Sequence, residues 1–242
     1  MSKKWRTVLI ISLICNLAII YVAVKALEYR AHINEYLDKY TNVVNEFSRL
    51  DRYADVNSAL RSDTTITGRL VLFGSQIMEN WPENNYPDGF EVINRGVTAQ
   101  RVSGLLLRFR QDVIDLSPEA VVIEISSYNF RPESGVREIC EYLASMADLA
   151  RYNGIEAVPA TIIPPLRDSV LIDDYNIMDS IGVFNDWLQQ YCDENGLRCV
   201  DFNGAVSDTG GYLDEKYAAA AIDLNERGYA RISGNLSELL AN

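Results

Sequence analysis

Ser75, Glu124, Asn129, Asp223 and Glu226 are the side chains through which this chain could do acyl or glycosyl chemistry. Ser75 follows Gly74 at the end of the apolar run Leu70–Phe73. A serine hydroxyl is a weak nucleophile until a positioned base takes its proton. The single histidine among the 242 residues is His32, far along the chain from that run. A carboxylate near its reference pKa of about 4 is a poor base for a hydroxyl at neutral pH. Glycosidic work by Asp223 with Glu124 or Glu226 needs two carboxyls across a cleft at a defined separation, which no spacing here supplies. Cys15, Cys140, Cys192 and Cys199 have no zinc-like pairing, so neither a metal site nor a cofactor is expected. Cys192 and Cys199 flank a turn at Asn195-Gly196. They either form a disulfide in an oxidising compartment or stay two separate thiols.

Hydrophobic residues make up 48% of the chain, enough for a sizeable core. The formal charge of -12 argues against a nucleic-acid partner, because neutralising phosphates needs clustered Lys and Arg.

The N-terminal segment reads as an address. Lys3, Lys4 and Arg6 precede an apolar stretch from Val8 to Val24. That length spans a bilayer as a helix, and the basic flank favours a cytoplasmic N-terminus with the remainder on the extracytoplasmic (periplasmic) side. A cleaved signal peptide ending near Val24-Lys25-Ala26 is the alternative. Residues 1–26 are therefore expected to be a tip and anchor, and 27–68 a helical stalk and linker. Ile33, Tyr36, Tyr40, Val43, Phe47 and Leu50 make one apolar stripe along the stalk. The stripe either packs on the chain's own globular domain or meets a partner protein or a second copy. Arg61–Gly68 reads as a linker.

From Arg69 onward, short apolar runs alternate with longer amphipathic ones. Strands are expected at Leu70–Phe73, Glu91–Ile93, Ala120–Ile125, Ile155–Ile162 and Arg198–Phe202. Helices are expected at Val102–Leu116, Val136–Tyr152, Tyr175–Asn195 and Glu226–Leu240. Strands apolar on both faces, alternating with helices, predict a five-stranded parallel sheet in a three-layer α/β/α sandwich over 69–242. Ligands of such sheets sit beyond the carboxyl ends of the strands.

Those segments resemble the motif blocks of the SGNH, or GDSL-like, hydrolases. Leu70-Val71-Leu72-Phe73-Gly74-Ser75-Gln76-Ile77 with Trp81 is similar to the first block. Val92-Ile93-Asn94-Arg95-Gly96 is similar to the second, whose glycine gives an N–H to the oxyanion hole. Ser127-Tyr128-Asn129-Phe130 falls on the third, which puts Asn129 at the oxyanion asparagine. Asp223-Leu224-Asn225-Glu226-Arg227-Gly228-Tyr229 resembles the last. The resemblance implies the flavodoxin-like fold of that family and a cleft for acyl or glycan ligands. It also places the nucleophile position on Gln76, the catalytic histidine on Asp223 and its orienting aspartate on Ala220. The triad is thus degenerate, and the chain is expected to be no enzyme. A membrane-anchored accessory or scaffold subunit is the reading this favours. A ligand-binding module using Gly74, Ser75, Gln76, Gly96, Asn129 and Asp223 is the next, and an esterase rewired around Ser75 the last.

Overall fold

The computed structural model describes residues 3–62, 68–131, 135–172 and 175–241, with the backbone alone at 38–46, 48, 62 and 172. Most of the expected linker, and the side chains of Tyr40 and Val43, lie outside the described residues. The chain divides into two compact units, Met1–Glu46 and Phe47–Asn242.

Helix α1 (Lys3–Ser48) contains neither glycine nor proline, the residues that break helices most readily. Arg49 follows it in the left-handed region, at φ 48°, and ends it. The portion Lys3–Leu37 is long and apolar enough to cross a membrane, and none of it is buried. Ile33 and Tyr36 are exposed on it.

The first complete helix of the second unit is α2 (Ala54–Ser62). The span read from sequence as stalk and linker, 27–68, is therefore divided, its part from Phe47 belonging with the globular unit. Strand β1 (Arg69–Gly74) is followed by the short α3 (Gln76–Glu79), β2 (Glu91–Gly96), α4 (Val102–Asp112), β3 (Ala120–Ile123), α5 (Val136–Tyr152) and β4 (Glu156–Pro159). A small antiparallel pair, β5 (Leu171–Ile172) and β6 (Tyr175–Asn176), precedes α6 (Met178–Asn195), α7 (Phe202–Val206) and α8 (Glu226–Ala241).

The sheet is parallel, in the order β2-β1-β3-β4. Alternation along β1 sends Val71 and Phe73 to one face and Leu70 and Leu72 to the other. The first face packs under α4, α5 and α6, the second under α3, α7 and α8. Each large apolar side chain so enclosed contributes about 1.5–3 kcal/mol. Phe73 meets Phe109 edge to face, with ring centroids 5.3 Å apart.

The expected three-layer fold is present, with one difference in the sheet. The fifth strand expected over Arg198–Phe202 is reduced to a parallel bridge between Ala160 and Val200. Pro159 has no N–H to extend the ladder. Immediately beyond, Asp201 caps α7 by accepting the Gly204 N–H at 2.9 Å. The helix expected from Tyr175 starts at Met178, because Tyr175 and Asn176 pair with β5 and Asn176 Oδ1 accepts the Met178 N–H. Cys192 and Cys199 are joined by a disulfide across the turn at Gly196, their Cα atoms 6.2 Å apart. Cys140 is a buried thiol and Cys15 an exposed one.

Candidate functional site

The strand order reverses between β1 and β3, and in open parallel sheets a crevice forms at such a point. Beyond it lies a cleft of about 230 Å³ lined by Gln76, Asn80, Thr98, Ala99, Tyr128 and Asp223. A neighbouring hollow of about 250 Å³ shares Ala99 and Tyr128 and adds Gln100, Arg101, Ser126, Asn129 and Arg131.

Gln76 opens α3 directly after β1, so the end of the strand aims it at the cleft. Asp223 comes from the loop before α8. A tight turn, with the Ala219 N–H on the Asp223 carbonyl at 2.7 Å, and the Ala218–Leu224 bridge hold that loop. Asn225 locks it to the helix, its Oδ1 accepting the Gly228 N–H and its Nδ2 donating to the Lys216 and Ala218 carbonyls. Ala220 takes part in the same turn and does not line the cleft.

Gln76 and Asp223, distant in sequence, therefore share one cleft, and Asn129 faces the hollow beside it. Gly74, Ser75 and Gly96 line neither. Ser75 is fully buried, and both its N–H and its hydroxyl donate to Glu124 Oε2, at 2.7 and 2.8 Å. Burial pushes the Glu124 carboxyl up to about 7, against the opposing effect of the two Ser75 hydrogen bonds. The serine reads as a structural partner of this carboxylate and offers no hydroxyl to the cleft.

The two expected oxyanion donors are also committed internally. The Gly96 N–H is taken by Asn94 Oδ1 at 2.8 Å. A Cβ at Gly96 would overlap the Glu79 backbone, which accounts for the glycine on packing grounds. Asn129 Oδ1 accepts the Val102 N–H at the start of α4, and its Nδ2 donates to the Ser126 carbonyl.

Asn80, Thr98, Ala99 and Tyr128 were not singled out from sequence. Their position in loops following strands β1, β2 and β3 was the available signal. Ala99 adopts a left-handed φ of 60°, a strained setting for a residue with a Cβ. Tyr128, 41% exposed, stands at the rim. Among the described residues no group of three or more His, Cys, Asp or Glu is placed to hold a metal ion.

The family model of the GDSL-like lipases and acylhydrolases matches residues 72–231. No curated protein matches the chain. Among solved structures, the chain is similar to a proposed acylhydrolase of Bacteroides fragilis, at 28% identity and a TM-score of 0.70 over 81% of this chain and 97% of that one. It is equally similar to a GDSL-like lipase of Bacteroides thetaiotaomicron, at 27% identity and a TM-score of 0.70 over 81% and 98%. A carbohydrate acetylesterase of Sinorhizobium meliloti shares the fold at 12% identity and a TM-score of 0.58, over 72% and 99%. These matches correct the expectation of a chain that is no enzyme. That expectation rested on the missing triad alone, whereas the matched family is one of lipases and acylhydrolases.

Proposed function

The chain belongs to the GDSL-like lipase/acylhydrolase family, and on that premise we propose that its cleft engages acetylated carbohydrate. The observation that carries this reading is the meeting of Gln76, Asp223 and Tyr128 in one cleft at the carboxyl ends of the central strands. Amide and carboxylate groups match sugar hydroxyls as donors and acceptors. The exposed ring of Tyr128 offers a flat face to a sugar ring. Gln76 cannot form an acyl-enzyme. For an ester, the route these side chains allow is addition of water to the acyl carbon as Asp223 takes the water's proton, followed by cleavage of the acyl C–O bond to the sugar, with that proton returned to the departing sugar oxygen. The acetylesterase of the same fold is a carbohydrate enzyme, which supports the choice of ligand.

The test uses the full chain in detergent micelles with acetylated and deacetylated xylo-oligosaccharides, reading both thermal shift and acetate release. The acetylated form is expected to raise Tm more, with Gln76→Ala and Asp223→Ala each removing the difference. An equal response to both sugars, or none, overturns the reading.

The anchor and its orientation complete the proposal. Residues 1–26 hold the protein in a membrane with Lys3, Lys4 and Arg6 in the cytoplasm, α1 continues from there as a stalk, and the hydrolase-like domain of 69–242 lies on the extracytoplasmic side together with the segment from Phe47. The Cys192–Cys199 disulfide agrees with an oxidising compartment. A second reading is an accessory subunit of a membrane assembly. It is favoured by the exposure of Ile33 and Tyr36 on α1, apolar side chains suited to a helical partner or a second copy. Co-purification of a stable assembly, lost on Tyr36→Asp, tests it; a lone protein in mild detergent counts against it.

A further inference from the structure

The segment from Phe47 to Asn57 is tied to the Gly96–Gln100 loop, whose Ala99 lines both hollows. Gln100 Nε2 donates to the Phe47 carbonyl at 2.6 Å. The approach is so close that a Cβ on Gly104 would overlap both groups. Tyr53 donates its hydroxyl to the Gly96 carbonyl at 2.5 Å, and the Arg95 guanidinium lies 4.6 Å over its ring. Arg52 pairs with Glu79 at 2.7 Å, and the other oxygen of Glu79 accepts the Thr98 N–H at 2.6 Å. Asn57, 1% exposed, accepts both Nε and Nη2 of Arg95 and donates to Asp112.

Three of these contacts reach the loop that carries Ala99. Thr98 is held through Glu79 and Arg52, Gln100 through Phe47, and Gly96 through Tyr53. A residue kept in the left-handed region persists only where its surroundings over-determine it. Ala99 is such a residue, and it lines both the cleft and the hollow.

We propose that Phe47–Asn57 is a brace that holds the Gly96–Gln100 loop, and with it strained Ala99, in the conformation that forms the cleft wall. Tyr53 and Gln100 are then positioning residues. They act on whatever the cleft binds through Ala99 and Thr98. The effect on ligand rests on the acetylated-carbohydrate reading; the effect on the loop does not.

The test measures amide hydrogen exchange in the full chain in detergent micelles, for Tyr53→Phe and Gln100→Ala, alongside affinity for acetylated xylo-oligosaccharide. Exchange at residues 97–101 is expected to rise about tenfold, the effect of one lost hydrogen bond, while β3 keeps its native protection. Affinity falls severalfold in the same variants. Unchanged exchange at 97–101 in both variants overturns the brace, as does an equal rise throughout β1 and β3, which marks general loosening. If Tyr53→Phe does not fold, Gln100→Ala decides. If the wild-type protein binds no acetylated sugar, the functional reading fails, and the exchange data still judge the brace.

Discussion

Glu124 and Ser75 form a buried pair just beneath the cleft: one carboxylate oxygen accepts the serine's backbone N–H at 2.7 Å and its hydroxyl at 2.8 Å. Glu124 is 3% exposed, so its charge is poorly solvated and its carboxyl titrates near 7 in place of 4.5. The folded protein thus binds this proton more tightly than the unfolded chain does. The group's contribution is fully favourable below about pH 4.5 and is lost as the pH rises through about 7.

Glu124→Gln is therefore expected to gain stability relative to the wild type as the pH rises from 5 to 8, by up to about 3 kcal/mol. Urea unfolding of the full chain at the two pH values reads it. A stability difference that is the same at both would show that this carboxylate keeps its ordinary pKa.

Ser75→Ala and Gln76→Ala should separate cleanly. Ser75→Ala removes a hydrogen bond from a buried carboxylate and should cost about 1–3 kcal/mol of stability with little change in ligand affinity. Gln76→Ala should weaken ligand binding more than it lowers Tm, because Gln76 lines the cleft. Denaturation midpoints and calorimetric titration on the same preparations measure both. Loss of ester turnover in Ser75→Ala, at full stability, would restore the serine as a nucleophile.

Asn57→Ala should be among the most damaging single changes. Asn57 satisfies a buried guanidinium twice and reaches Asp112 at 2.6 Å. Arg95 itself is held below its ordinary pKa, chiefly by burial and against the pull of Asp112 and Tyr53. Stranding these groups should cost about 3–5 kcal/mol, read as a fall in the denaturation midpoint. A loss below about 1 kcal/mol would mean that water replaces the amide.

Thiol counting tests the Cys192–Cys199 bridge. In detergent micelles the native full chain should keep Cys15 within the micelle and Cys140 within the core, denaturation should offer both to a maleimide, and only reduction should add the last two. Cys199→Ser should lower stability by about 2 kcal/mol, the loop-entropy scale for so short a ring. Four reactive thiols without reductant would show that the bridge is not formed.

Several features were legible because they are local in cause. The alternation of apolar runs with amphipathic ones set the parallel layered fold. Val136–Tyr152 occupies the expected helix because its buried side chains recur at helical spacing. Composition alone left the globular part without an imidazole. Elements failed where a neighbour in space outweighed the pattern. Arg198–Phe202 carries Cys199, Val200 and Phe202 of a strand, yet it bridges the sheet only at Val200, because Pro159 and the Asp201 cap intervene.

The sequence by itself determined which side chains exist and which periodic faces they make: an apolar helix able to cross a membrane, a doubly covered parallel sheet, a glutamine after the first strand and an aspartate before the last helix. Only the tertiary structure decided what each polar group bonds to. Ser75 turns to Glu124, Gly96 gives its N–H to Asn94, Asn129 closes on Val102, and the end of the stalk docks through Tyr53 and Asn57. A periodic pattern is set within a few residues of chain. A hydrogen bond between residues some fifty positions apart forms only after the layers have packed, and the packing chooses its partner.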